Sequence, residues 1–298
     1  MRFSAPLTPD LKTREHFVRE MVRLSLWYVR RLLARGEITP GDLPRALTCR
    51  VNLYRLTLLW DEVHDPATGA AGPEWTRLCG RLSGLLLASP DGDTARLEEE
   101  GLAVLWPFLE PRLPLDVGPP RRRPHGCWSY ELAWEGIGDR QGWLGKLSNP
   151  THVSQRLRKV LGLPLAPRRD AALHFENAFI PRSPFAHMPE LVRSLRALIG
   201  ECRSQDPPVL TVWCDSWLNG HSAFQELFPR SWVRSATPRP PGNHYNWWGQ
   251  LIDCTGAFNA AAAARFRASG GRFRYPARLC HAPLEAIDRH LDRLPLSS

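Results

Sequence analysis

Lysine is almost missing from this 298-residue chain. Lys12, Lys146 and Lys159 are the whole complement, so 36 of the 39 basic residues are arginine (39 − 3). No stretch of 18 apolar residues occurs, so nothing in the sequence reads as a membrane-spanning helix. The opening MRFSAPLTPD has no apolar core of the kind a secretory leader needs, and a cytoplasmic protein is the expectation. No two of the seven cysteines (Cys49, Cys79, Cys127, Cys202, Cys214, Cys254, Cys280) stand in CxxC spacing. Their number is odd and the chain is long enough to build its own core. Free, mostly buried thiols are therefore expected rather than a disulfide framework. A complete phosphate-binding fingerprint is also lacking. Gly142-Trp143-Leu144-Gly145-Lys146 matches neither G-x-x-x-x-G-K-[ST] nor G-x-G-x-x-G, and reads as a turn.

What is present is an ordinary globular composition, 43% hydrophobic and 23% charged, with a length that suits one large or two smaller domains. The net charge is +9. The arginines are dispersed along the chain, and the one tight cluster, Arg121-Arg122-Arg123, sits in a proline-rich segment. A nucleic-acid footprint would gather basic residues on one face, so the dispersal argues against one.

The N-terminal part reads as helices. Thr8-Pro9 is a hydroxyl cap followed by a first-turn proline. Phe17, Met21, Leu24, Tyr28 and Leu32 then form one stripe at helical spacing, and Gly36 ends it. Asp42 caps a second helix running to about Trp60, Pro73 opens a third, and Asp93 or Thr94 caps a fourth that stops near Leu105, before Pro107. Trp60 to Asp65 reads as a solvated helix end. Six prolines between Pro107 and Pro124 exclude both helix and central strand, and this stretch is the expected domain boundary. The expected architecture is α/β (α+β): a helical domain over 1–118 packed on an α/β domain over 119–298.

In that second part Trp128, Tyr130, Leu132 and Trp134 alternate with smaller or polar residues, which predicts a strand. A helix from Pro150 to Leu161 follows. Then AALHFENAFI (171–180) reads as a strand, Leu191, Leu195 and Leu198 mark a helix to about Arg203, and VLTVWCD ends a second strand near Asp215. Strand, helix, strand at this spacing is a βαβ unit with parallel strands, and the sheet is expected to be mixed. A helix over Ser222–Phe228, a lid over Arg234–Asn243, a strand over Tyr245–Asp253, a helix over Phe258–Ala268 and a last helix over Pro283–Leu291 complete the reading.

Ligands of open α/β sheets sit beyond the carboxyl ends of parallel strands. Those ends carry Asn177, Asp215, Trp217 and Asn219. Five of the twelve tryptophans lie between Pro208 and Asn259, mixed with His221, His244, Asn246 and Gln250, a mixture suited to a pocket wall. Asp215 lies in an apolar strand, where a carboxylate needs partners or a raised pKa. His221 sits at a helix start, where its imidazole stays neutral and can act as a base. The expected pocket is lined by Asn177, Asp215, Trp217, Asn219, His221, Ser222, His244, Trp248 and Gln250. The leading expectation is acyl transfer or cleavage on a small metabolite, with Asp215 or His221 as base and the amides near Ser222 holding the oxyanion. An alternative is a non-haem iron enzyme, with the His174-x-Glu176 pair and a distant His244 or His221 as ligands. A third is a non-catalytic module that binds a small ligand or nucleic acid.

The run from Leu173 through Cys214-Asp215-Ser216-Trp217-Leu218 to Leu227-Phe228-Pro229 resembles the C-terminal half of bacterial two-part acyltransferase-like proteins. In those proteins a helical domain precedes a GNAT-like fold. The resemblance covers about 60 of the 298 residues. It implies the two-part layout and acyl-CoA as a cofactor. The glycines of Arg140-Gln141-Gly142-Trp143-Leu144-Gly145 are spaced differently from the acyl-CoA loop of that superfamily.

Overall fold

A computed structural model describes residues 11–49, 72–89, 94–113, 125–133, 157, 160–163, 169–179, 181–238 and 249–295. The readings at Thr8-Pro9, Trp60–Asp65, Arg121–Arg123, Trp134, Gly142–Lys146 and Pro150 lie outside these residues, as do His244 and Trp248. The chain divides into two compact units. One draws on Leu7–Pro120 and Pro240–Arg274, the other on Arg121–Arg239 and Tyr275–Ser298. The first crossing between the units falls at Pro120–Arg121, beside the boundary expected at 118. The segment 240–274, expected in the α/β part, belongs instead to the helical unit. The reason is packing: Leu251, Ala263 and Phe266 share one core with the N-terminal helices.

In the helical unit, helix α1 (Leu11–Ala34) is the axis. Its stripe of Phe17, Met21, Leu24, Tyr28 and Leu32 is buried, as the spacing predicts. Gly36 adopts a positive φ of 67°. Its N–H donates to Leu33 O and the Glu37 N–H to Leu32 O, the paired C-terminal cap that glycine makes at no steric cost. Thr39, not Asp42, starts the next helical segment. Its N–H and hydroxyl both donate to the Asp42 carboxylate, at 2.9 and 2.6 Å. A short 3-10 turn (Pro40–Asp42) leads into α2 (Leu43–Cys49). Helix α3 spans Pro73–Ala88 and α4 spans Thr94–Leu109. Helix α4 runs through Pro107, past the expected stop near Leu105. Proline removes one backbone donor in the last turn, and the burial of Phe108 and Leu109 offsets that loss, since each fully buried large side chain contributes about 1.5–3 kcal/mol.

The sheet unit holds a five-stranded mixed sheet of order β1-β2-β3-β5-β4. Its strands are β1 (Trp128–Ala133), β2 (Asp170–Phe175), β3 (Thr211–Ser216), β4 (Thr237–Pro238) and β5 (Arg278–Pro283). Strands β2 and β3 are parallel neighbours, and α5 (Met188–Arg203) connects them, as the βαβ pattern predicts. The remaining pairings are antiparallel. Helix α5 buries Leu191, Val192, Leu195, Leu198, Ile199 and Cys202, a single helical face. That face packs on Ala171, Leu173, Val212 and Cys214, which point to one side of the sheet. Strand β5 was not expected. It occupies six residues, RLCHAP, whose arginine, histidine and proline hide the pattern of a central strand.

The tail of this unit is short helices: α6 (Ser222–Gln225), α7 (Arg230–Arg234) and α9 (Leu284–Leu291). Helix α8 (Ala260–Ala268), capped by the Asn259 side chain accepting from Ala262 N, belongs to the helical unit. Gly249–Leu251 form a 3-10 turn rather than the strand expected over Tyr245–Asp253. Among the described residues no helix is long and apolar enough to cross a membrane. Cys79, Cys127, Cys202, Cys214 and Cys280 are buried free thiols and Cys254 is an exposed one.

Candidate functional site

The parallel ladder joins only residues 170–172 of β2 to residues 211–213 of β3. Beyond it the two strands no longer pair with each other, though β2 stays paired to β1 and β3 to β5, and the gap between them is where a ligand crevice is expected. Aromatic rings fill one side of that opening. Phe175 lies parallel to Phe185 at 6.1 Å and edge-on to Phe224 at 5.7 Å. The His221 imidazole stacks on Phe185 at 4.6 Å and meets Tyr275 at 5.7 Å. Trp217 stacks on the other part of Tyr275, at 6.0 Å.

The expected polar residues divide by what they already hold. Asn177 closes its own loop: its amide donates to Arg182 O, and its oxygen accepts from Phe179 N. Asn219 is 1% exposed. Its amide nitrogen donates to Cys214 O at 2.9 Å and Arg278 O at 2.7 Å, and its oxygen accepts from the Trp232 indole at 3.0 Å. Both side-chain atoms of Asn219 are consumed, so its expected role in substrate binding is corrected to a structural one. It ties the end of β3 to β5 and α7. Trp232 itself is fully buried and Trp213 is 5% exposed. These indoles are core, not pocket wall.

Asp215 lies opposite Leu279 across the β3–β5 ladder. It faces the same side as Trp213, away from the face that packs on α5. Ala172, Trp213 and Leu279 form a small buried cluster on that side. Burial, helped by the negative charge of Asp215, pushes the Cys214 thiol well up, and burial raises Cys280 to about 12 against the opposing charge of Arg278. Both thiols are therefore protonated and inert near neutrality. Burial lowers the pKa of His281, the cross-strand partner of Trp213. Gln250 lies in the other compact unit.

Of the alternative iron ligands, His244 lies outside the described residues. His174 and Glu176 are both exposed, and the His174 Nε2 stands 3.7 Å from Glu131. Among the described residues no three His, Cys, Asp or Glu side chains converge to hold a metal.

Ser222 leads to a feature the sequence reading missed. It lines an open groove of about 700 Å³ between α6–α7 and α9. Arg230 and Arg234 of α7 line it, as do Arg289 and Arg293 on and just past α9. The His290 Nε2 lies 2.9 Å from Glu226 O. Phe228, Pro229, Val233 and Ala286 supply the apolar floor. Glu226 is the one acidic residue of the lining. Arg289 stands 3.7 Å from an exposed Glu285, a weak pairing at most. Among the described residues Arg230, Arg234 and Arg293 have no acidic side chain within ion-pair distance. Some arginines elsewhere are matched, Arg19 with Glu15, Arg23 with Glu20 and Glu99, Arg203 with Asp288 and Arg267 with Glu98, while others, such as Arg77, Arg81 and Arg193, are exposed singly; what sets the groove apart is that four arginines line one concavity. The signal available in the sequence was two arginine pairs at i, i+4, in RSWVR and RHLDR. Fifty-five residues separate Arg234 from Arg289, so dispersal along the chain hid convergence in space.

Compared with known protein families, characterised proteins and solved structures, the chain matches none.

Proposed function

We propose that the sheet unit binds a phosphate-bearing ligand in the groove between α7 and α9. What carries this reading is the convergence of Arg230, Arg234, Arg289 and Arg293 on one concavity that, among the described residues, holds a single carboxylate, with no acidic side chain within ion-pair distance of Arg230, Arg234 or Arg293. Arginine's planar fork of donors matches phosphate oxygens, and four like charges held close together favour an anion between them. The Ser222 and Ser231 hydroxyls at the rim add neutral donors. The expected acyl chemistry depends on Asp215 or His221, and neither lines this groove.

Inorganic tripolyphosphate is the probe that tests the reading. Calorimetric titration of the full chain gives saturable binding, and Arg230→Ala/Arg293→Ala weakens it at least tenfold. Arg77→Ala/Arg81→Ala, which removes equal charge from the exposed side of α3, leaves it within twofold. No binding, or equal losses in both double variants, contradicts the proposal.

A further inference from the structure

The groove's geometry specifies the class of phosphate ligand, an inference that rests on the reading just given. Arg230 and Arg234 are the first and last residues of α7. Arg289 and Arg293 keep the same i, i+4 spacing, because the backbone turns on past α9 through Asp292 N to Asp288 O and Arg293 N to His290 O. Each pair therefore rises about 6 Å, one helical turn. That is the order of the step between successive phosphates of one nucleic-acid strand. Both pairs line the same groove, so a line of phosphates lying along it has guanidiniums from two helices within reach.

Three observations select among polyanions. The groove is open and its arginines are exposed, whereas small-molecule sites enclose most of their ligand. A partner that continues beyond both ends of the groove fits this shape. Among the described residues no exposed phenyl or indole ring lines it: Phe228 is 3% exposed and stacked on Trp232 at 4.1 Å. Proteins that hold single strands use such rings, and each stacked base is worth about 1–3 kcal/mol. A duplex turns its bases inward and presents a denser line of charge. We infer that the groove takes the sugar–phosphate backbone of duplex nucleic acid, without reading its sequence. The low lysine content is consistent with fixed, forked donors at this surface. Dispersal in the sequence, which argued against such a partner, does not apply once the chain is folded.

The test is fluorescence anisotropy of the full chain with a labelled 20-base-pair DNA duplex, its single strand, and labelled polyglutamate, between 50 and 200 mM salt. Four phosphate contacts predict a slope of about −3.5 in log K against log salt, hence a loss of about a hundredfold over that range. Single Arg230→Ala, Arg234→Ala, Arg289→Ala and Arg293→Ala variants each reduce the slope by about 1, and two duplexes of unrelated sequence bind within threefold. Single-strand binding as tight as duplex overturns the inference, as does polyglutamate binding equally well. Tripolyphosphate binding with no duplex binding overturns it while leaving the functional proposal standing. If neither phosphate probe binds, both fall together.

Discussion

Asp170 is the residue at which the cost of burial is most exposed to measurement. It is 7% exposed at the start of β2, and burial pushes its carboxyl up to about 6. A raised carboxylate binds protons more tightly folded than unfolded. Stability therefore rises as the pH falls from about 7 toward the unfolded value near 4, and the charged form is a liability above that window. Asp170→Asn removes the liability without changing shape. It is expected to raise unfolding free energy on the order of 1–2 kcal/mol at pH 7.5 and by nothing measurable at pH 4. Denaturant titrations at the two pH values check this, and an equal effect at both refutes it. Asn219 is the opposite case, a buried amide whose partners are all satisfied. Asn219→Ala leaves an indole N–H and two carbonyls without it. The expected destabilisation is about 3 kcal/mol, read as a lower denaturation midpoint with unchanged slope.

Among the elements, helices with one continuous apolar stripe were legible in the sequence, because period 3.6 and burial agree along α1, α3 and α5. Strand β1 was legible from alternation at period two, and β2 and β3 as short apolar runs. Strand β5 was not: Arg278, His281 and Pro283 interrupt any apolar run, and its place beside β3 follows from tertiary packing alone. The stop assigned before Pro107 failed because core burial outweighed one lost backbone bond. Of the candidate site, the adjacency of β2 and β3 could be read. The commitment of Asn177 and Asn219 to the protein itself could not, since an amide at a strand end looks the same whether it serves a substrate or a carbonyl.

Two element-level devices allow a direct check. Gly36→Ala places a Cβ at φ 67° with nothing within 4 Å, so the cost is backbone strain alone, about 1 kcal/mol. The edge strand β1 is fastened to α5 by Glu201, which accepts from Tyr130 at 2.8 Å and lies 2.6 Å from His125 Nε2. Those two contacts hold the Glu201 carboxyl below the usual range. A depressed carboxylate contributes stability above its unfolded pKa and loses it as the pH falls through the folded value. Tyr130→Phe is expected to cost about 0.5–1.5 kcal/mol at pH 7 and to flatten the acid limb of stability against pH. An unchanged acid limb would show that the fastening contributes nothing.

At the scale of the molecule, the central point is how charge is distributed. Several described arginine–carboxylate pairs of the helical unit join near neighbours on a helix, Arg19 with Glu15, Arg23 with Glu20 and Arg96 with Glu100, and such pairs contribute little to stability. In the sheet unit two short helices bring four arginines to one groove with one carboxylate among them. Uncompensated charge of this kind destabilises the protein alone and is relieved by an anion. Hydrogen–deuterium exchange of the full chain, with and without a 20-base-pair duplex, locates the contact most directly. Backbone amides of 222–234 and 284–294 are expected to gain protection, and those of α1 to α4 are expected to stay unchanged. Protection confined to the helical unit, or spread evenly over both units, would contradict the account.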